Sequence, residues 1–172
     1  MEISRKGLLA GQQHILFFDR YSGEIQYDQE DEERANMRFV VESRSITCKD
    51  KWLTGKQRKK VVSFTLSKML VAHRFPEIKF SSTGITKTAS HQYDVRGDLT
   101  IRGMTRPTFI QVVAKQIGTE RLEFDGEMII RMKDYDMKPP TSVLGFAGTK
   151  NKMRLRFHFW AERVKTDVLT AS

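Results

Sequence analysis

HQYDVRGDLTIR, His91 to Arg102, is the stretch that decides the fold. His91, Tyr93, Val95, Gly97, Leu99 and Ile101 fall on one face of an extended chain. Gln92, Asp94, Arg96, Asp98, Thr100 and Arg102 fall on the other. Successive side chains of a strand point to opposite faces, so this period of about two marks a strand with one buried and one wetted face. The pattern recurs in both directions. Upstream, Phe39, Val41, Ser43 and Ser45 share a face, as do Ile78, Phe80 and Ser82 after Pro76. Downstream, so do Leu122, Phe124, Gly126, Met128, Ile130 and Met132, and then Met153, Leu155, Phe157, Phe159 and Ala161. Ser22-Gly23, Arg102-Gly103, Gly118-Thr119 and Pro139-Pro140 supply the turn signals.

One segment departs from this period. Between Lys59 and His73 the apolar positions Val62, Leu66, Met69 and Leu70 recur at helical spacing, and Pro76 ends any helix. The pattern of strands, one helix and more strands, with no βαβ repeat, predicts an all-β fold. We expect an antiparallel up-and-down barrel of seven or eight strands, closed or nearly so, because closure removes exposed edges.

Composition agrees with a single domain over residues 1–172. Hydrophobic residues make up 39 % and charged residues 30 %, with only 4 prolines, which excludes collagen-like and linker-dominated chains. Apolar runs are far shorter than the ~20 residues a spanning helix needs. Cys48 is the lone cysteine, so no intrachain disulfide forms. Gln12, Gln13 and His14 interrupt the start of the chain where a signal peptide would have its apolar stretch. Both features favour the cytoplasm; a mature periplasmic chain would read the same way.

Catalytic signatures are missing. The chain has no G-x-S-x-G, H-E-x-x-H, P-loop, G-x-G-x-x-G or C-x-x-C. His14, His73, His91 and His158 lack metal-ligand spacing, and Asp134 and Asp136 around Tyr135 read as turn residues. We therefore expect no catalytic residue, no bound metal and no cofactor.

Charge is unevenly placed. The net charge is +9, with an acidic run from Asp28 to Glu33 and basic clusters at Lys56–Lys60 and Lys150–Arg156. Such a surface attracts phosphates. No nucleic-acid motif accompanies it, so no nucleic-acid partner is expected.

The inward faces predict a cavity with a few polar anchors, His91, Tyr93, Ser43 and Ser45 among them. Its candidate lining is Phe39, Val41, Leu66, Met69, Leu70, Phe80, Tyr93, Val95, Leu99, Ile101, Phe124, Met128, Ile130, Leu155, Phe157 and Phe159. Two basic rims stand out. Arg58, Lys59 and Lys60 lie beside the predicted helix N-terminus, and Lys150 and Lys152 precede the last strand.

Three segments carry a family resemblance: HRFPEIKFSST (His73–Thr83), YDVRGDLTIRGMTRP (Tyr93–Pro107) and FDGEMIIRMKDYDM (Phe124–Met137). Within them G-x-L-T-I-x-G-x-T-x-P is met from Gly97 to Pro107, and aromatic-P-x-I-x-F-x-S from Phe75 to Ser82. Together with Gly23–Asp28 and Val41–Ile46, in this order, they resemble the YceI-like family of polyisoprenoid-binding, lipocalin-like proteins, over roughly 15–164. The resemblance implies an extended eight-stranded antiparallel lipocalin-like barrel with one short helix capping it. It also implies a long apolar pocket for an isoprenoid chain, such as a polyprenyl diphosphate or a long-tailed quinone. Many family members are periplasmic. This chain departs from the family at Lys68 and Val71, where acids are common, and at Asp136, where glycine is.

The leading functional expectation is thus non-enzymatic binding or carriage of an isoprenoid lipid or quinone. An anionic membrane surface and a second copy of the chain are further candidate partners. Two other readings stay open: an enzyme with His91 or Tyr93 as acid/base, and a basic module for an anionic surface or nucleic acid with no cavity ligand.

Overall fold

A computed structural model of the chain describes residues 2–4, 13–26, 34–117, 121–138 and 151–162. Ten strands form one sheet. They are β1 (Glu2–Ser4), β2 (Gln13–Phe18), β3 (Tyr21–Gln26), β4 (Asn36–Glu42), β5 (Ile46–Cys48), β6 (Glu77–Ala89), β7 (Gln92–Ile101), β8 (Met104–Ile117), β9 (Arg121–Arg131) and β10 (Lys152–Glu162). Their order is β3-β4-β6-β7-β8-β9-β10-β1-β2-β5. Consecutive long strands pair antiparallel, as in an up-and-down meander: Gly97 faces Thr108 across β7–β8, and Phe159 faces Phe124 across β9–β10.

The sheet curls into a half-barrel whose inner face is the apolar one. Val95, Leu99 and Ile101 of β7, Ile110 and Val112 of β8, Phe124, Met128 and Ile130 of β9, and Met153 and Phe159 of β10 are buried. The same strands expose Arg96, Phe109, Ile129 and Trp160 outward. The alternation seen in the sequence is this inside–outside division.

Glycines let aromatic rings lie flat on the neighbouring strand. A Cβ on Gly97 would sit 2.5 Å from the Phe80 ring, and one on Gly126 would sit 2.0 Å from the Phe157 ring. A side chain there would lift the ring off the sheet, so these strand glycines serve packing rather than turning. The β7–β8 connection is different. Arg102 (φ 54°) and Gly103 (φ 70°) are both left-handed between the facing residues Ile101 and Met104, the two-residue type I′ geometry that fits the twist of a hairpin. Arg102 then reaches Asp136, itself left-handed at φ 50°, through its backbone oxygen and carboxylate.

Helix α1 (Gly55–Phe64) follows β5 and continues into a π-helical turn, Thr65–Met69. Its N-terminus is fixed by a capping box. The Thr54 hydroxyl accepts from the Gln57 backbone N–H, and the Gln57 side chain accepts from the Thr54 N–H. Val61, Met69, Leu70 and Ala72 bury the inner side of this segment against the sheet.

Several expectations are corrected here. The described residues contain ten strands rather than eight, and among them no ladder joins the terminal strands β3 and β5. Ser22-Gly23 is not a turn: both lie within β3, and a Cβ on Gly23 would meet the Phe39 ring at 2.3 Å. The helix begins at Gly55, not Lys59, because the Thr54–Gln57 box sets its start. Ser43 and Ser45 leave the strand for a 3₁₀ turn. There their hydroxyls donate to the carbonyls of Phe75 (3.3 Å) and Glu42 (2.8 Å), so they fasten a turn and do not anchor a ligand. His91 sits in the β6–β7 turn at φ 62°. The turn signals at Gly118-Thr119 and Pro139-Pro140, and the acidic run Asp28–Glu33, lie outside the described residues.

Candidate functional site

The predicted lining residues face one interior but divide into three environments. At the helix end, Met69, Leu70, Phe80, Leu99, Ile101, Met128 and Ile130 are buried in packed core. In the middle, phenylalanines stack across the barrel. Phe159 lies 4.4 Å from Phe39, 5.1 Å from Phe124 and 5.4 Å from Phe157 between ring centroids. Phe39, Val41, Leu155 and Phe157 are inward-facing yet only half-buried. At the opposite end, Tyr93, Val95 and Phe124 line a cavity of about 130 Å³ together with Met37, Ile85, His91 and Gln116. That is below the ~300 Å³ at which small-ligand sites begin. Its polar groups among the described residues, the Tyr93 hydroxyl, the His91 imidazole and the Gln116 amide, include no lysine or arginine.

Leu66 lies elsewhere. With Val62, Ala72 and Cys48 it lines a groove of about 650 Å³ beside α1 and the terminal strand β5. Arg44, Arg58, Lys59 and His73 also line this groove, and among the described residues no carboxylate does. The predicted basic rim therefore belongs to the helix groove. Arg58 is tied down, donating to the carbonyls of Leu53 (2.6 Å) and Asp50 (3.2 Å). Lys59 and Lys60 are exposed on the helix. Lys152 is exposed at the start of β10 opposite Arg131, apart from the groove lining, and Lys150 lies outside the described residues.

Cys48 is a free, half-buried thiol. Burial pushes its pKa up, so it is held protonated and is a poor nucleophile.

Two titratable clusters were not legible in the sequence. His14 of β2 is fully buried, and its Nδ1 lies 2.7 Å from the Asp50 carboxylate, whose other oxygen accepts from the Ile15 N–H at 2.8 Å. They are 36 residues apart and meet only because β2 pairs with β5. The pair is a buried polar contact that fixes the loop after β5. On the outer face, His158 of β10 lies 2.9 Å from Asp125 and 3.5 Å from Glu123 of β9. These three groups present ligand atoms within 4.8 Å of one another and could hold a metal ion. They are turned away from the interior, and each carboxylate already pairs with the imidazole.

The YceI-like domain model matches residues 9–161. Curated relatives include UPF0312 proteins. One from Pseudomonas savastanoi pv. phaseolicola is 33 % identical over 72 residues, 39 % of this chain and 38 % of that protein. One from Pseudomonas putida is 27 % identical over 128 residues, 72 % of this chain and 63 % of that protein. These matches span less than two thirds of the relatives' own length. Among solved structures, Burkholderia cenocepacia BcnA superposes with a TM-score of 0.75 at 18 % identity, covering 93 % of this chain and 94 % of that one. A polyisoprenoid binding domain from Saccharophagus degradans superposes at 0.66 and 12 % identity, covering 94 % and 90 %. With the family model spanning nearly the whole sheet and these neighbours sharing its fold, the chain belongs to the YceI-like domain family.

Proposed function

We propose that this protein binds a long apolar isoprenoid lipid along the inner face of its curled sheet, as a carrier or sensor without catalysis. The observation that carries this reading is the half-buried state of Phe39, Leu155 and Phe157 on an inner face they share with the core residues Val95, Leu99, Phe124 and Phe159. Apolar surface kept open inside a barrel is free energy available to a ligand, at about 25 cal/mol per Å² covered. The kinship with a polyisoprenoid binding domain from Saccharophagus degradans points the same way. The cavity of about 130 Å³ holds only part of such a chain, so binding requires the stacked phenylalanines to rotate aside.

The head group follows from charge. Tyr93 and Gln116 at the open end are neutral donors and acceptors suited to a quinone carbonyl, with the His91 imidazole in the same lining. A diphosphate there would be desolvated without a lysine or arginine in the lining, which is costly. We therefore favour a neutral-headed isoprenoid. The two carboxylate–histidine clusters lie outside this cavity, which among the described residues leaves it without a paired acid and base.

The test is native mass spectrometry of gently purified protein, followed by titration with a long-tailed quinone and with a polyprenyl diphosphate of equal tail length. Adducts spaced by one isoprene unit, and tighter quinone binding that weakens in Tyr93→Phe, are expected. No adduct and no binding of either probe overturns the reading.

A further inference from the structure

The chain's positive charge is concentrated in one continuous piece of the fold. Residues 43–76 contain nine Lys or Arg and a single acid, so this segment supplies +8 of the chain's +9. That acid is Asp50, which is 3 % exposed and already spent on His14 and the Ile15 N–H. No outward carboxylate of the segment offsets the charge. The segment comprises the 3₁₀ turn, β5, α1 and the π-helical turn, all at one end of the sheet.

Apolar surface is interleaved with that charge. The groove of about 650 Å³ has Val62, Leu66 and Ala72 in its lining between Arg44, Arg58 and Lys59. Phe17 faces Thr47 across the β2–β5 ladder, and Thr47 lines the groove; facing residues of a ladder project to the same side, which puts Phe17 on the same face of the sheet as Thr47. Phe17 is 43 % exposed and Ile15, two residues before it, is 38 % exposed. The Lys49 ammonium stands 4.6 Å above the Phe17 ring. A face that is merely solvated, or that grips duplex DNA through its phosphates alone, has no use for exposed Phe and Ile among its lysines. Cations around partly exposed apolar side chains match a lipid interface, where phosphates meet the first acyl carbons.

We propose that this end of the molecule, centred on Phe17, Lys49, Lys56, Lys59 and Lys60, docks on an anionic phospholipid bilayer. The helix groove receives the head and upper chain of one lipid. Docking is a property of the outer surface and does not depend on what the barrel carries, so it is tested without any isoprenoid.

The experiment measures partition of the full chain onto phosphatidylcholine vesicles with and without phosphatidylglycerol, by co-sedimentation and by fluorescence. In a Trp160→Phe background Trp52, within the docking segment, is the sole tryptophan reporter. We expect binding only to the anionic vesicles, a blue shift of Trp52, and weakening with salt. Lys56→Gln/Lys59→Gln/Lys60→Gln, three exposed helix positions that glutamine tolerates, lowers the partition constant on the order of 100-fold. Phe17→Ser lowers it with an unchanged salt slope. Arg154→Gln/Arg156→Gln, on the outer face of β10, leaves it unchanged. Equal binding to neutral vesicles, an unaffected triple variant, or tighter binding to duplex DNA than to anionic vesicles at the same salt overturns the proposal.

Discussion

Phe39 and Phe159 touch across the barrel, their ring centroids 4.4 Å apart, although their strands β4 and β10 are separated by β6, β7, β8 and β9 along the sheet. The curl therefore brings the two walls together through side chains, where no ladder joins the sheet's ends among the described residues. Phe159 is 6 % exposed and also stacks on Phe124, so its removal opens a cavity the walls cannot fully collapse into. Phe159→Ala is expected to cost about 3 kcal/mol. A lowered urea midpoint at unchanged m-value checks it; a loss well under about 1 kcal/mol would mean the walls do not depend on this contact.

Gly126 is the seat of the Phe157 ring, with only 2.0 Å between a would-be Cβ and the ring. Gly126→Ala drives that ring into the interior. We expect a destabilisation of about 1–3 kcal/mol, as for other overpacked sites. Weakened binding of the long-tailed quinone should accompany it, read by the same titration that tests the lipid site.

Asp50 holds together β2 and the start of the helix segment through His14 and the Ile15 N–H. Asp50→Ala leaves a fully buried imidazole without its carboxylate and is expected to cost about 3 kcal/mol. Asp50→Asn keeps an oxygen for the Ile15 N–H and should lose less. Equal losses in thermal unfolding would show that the Ile15 N–H contact carries none of the effect and the imidazole contact all of it.

Tyr135 is 2 % exposed, and burial, reinforced by Asp134, pushes its pKa up to about 12. The folded state keeps this proton when the unfolded chain, with its ordinary value near 10, has lost it. The contribution to stability is thus intact below pH 10 and falls as pH rises from there toward 12. In an alkaline phenolate titration one of the 4 tyrosines should ionise last, and Tyr135→Phe should remove that step. A Tyr135→Phe protein with an unaltered titration would contradict it.

Strand content, the inward faces of β7, β9 and β10 and the family were readable from the sequence, because a period of two in apolar residues and the Gly97–Pro107 motif are local signals. The helix start was equally local, written in Thr54 and Gln57, and a capping-box reading would have found it. What only the tertiary structure decided depends on pairing between distant residues. The sequence could say that Phe39, Phe157 and Phe159 face inward but not that they meet and divide the interior, since that distance is set by the curl of intervening strands. It could show the basic run Lys56–Lys60 but not that Lys49 stands over Phe17, which the β2–β5 register sets opposite Thr47. His14 reads as an isolated histidine in the chain; a ladder places Asp50 beside it, because long-range pairing is determined by the whole sheet and not by any window of sequence.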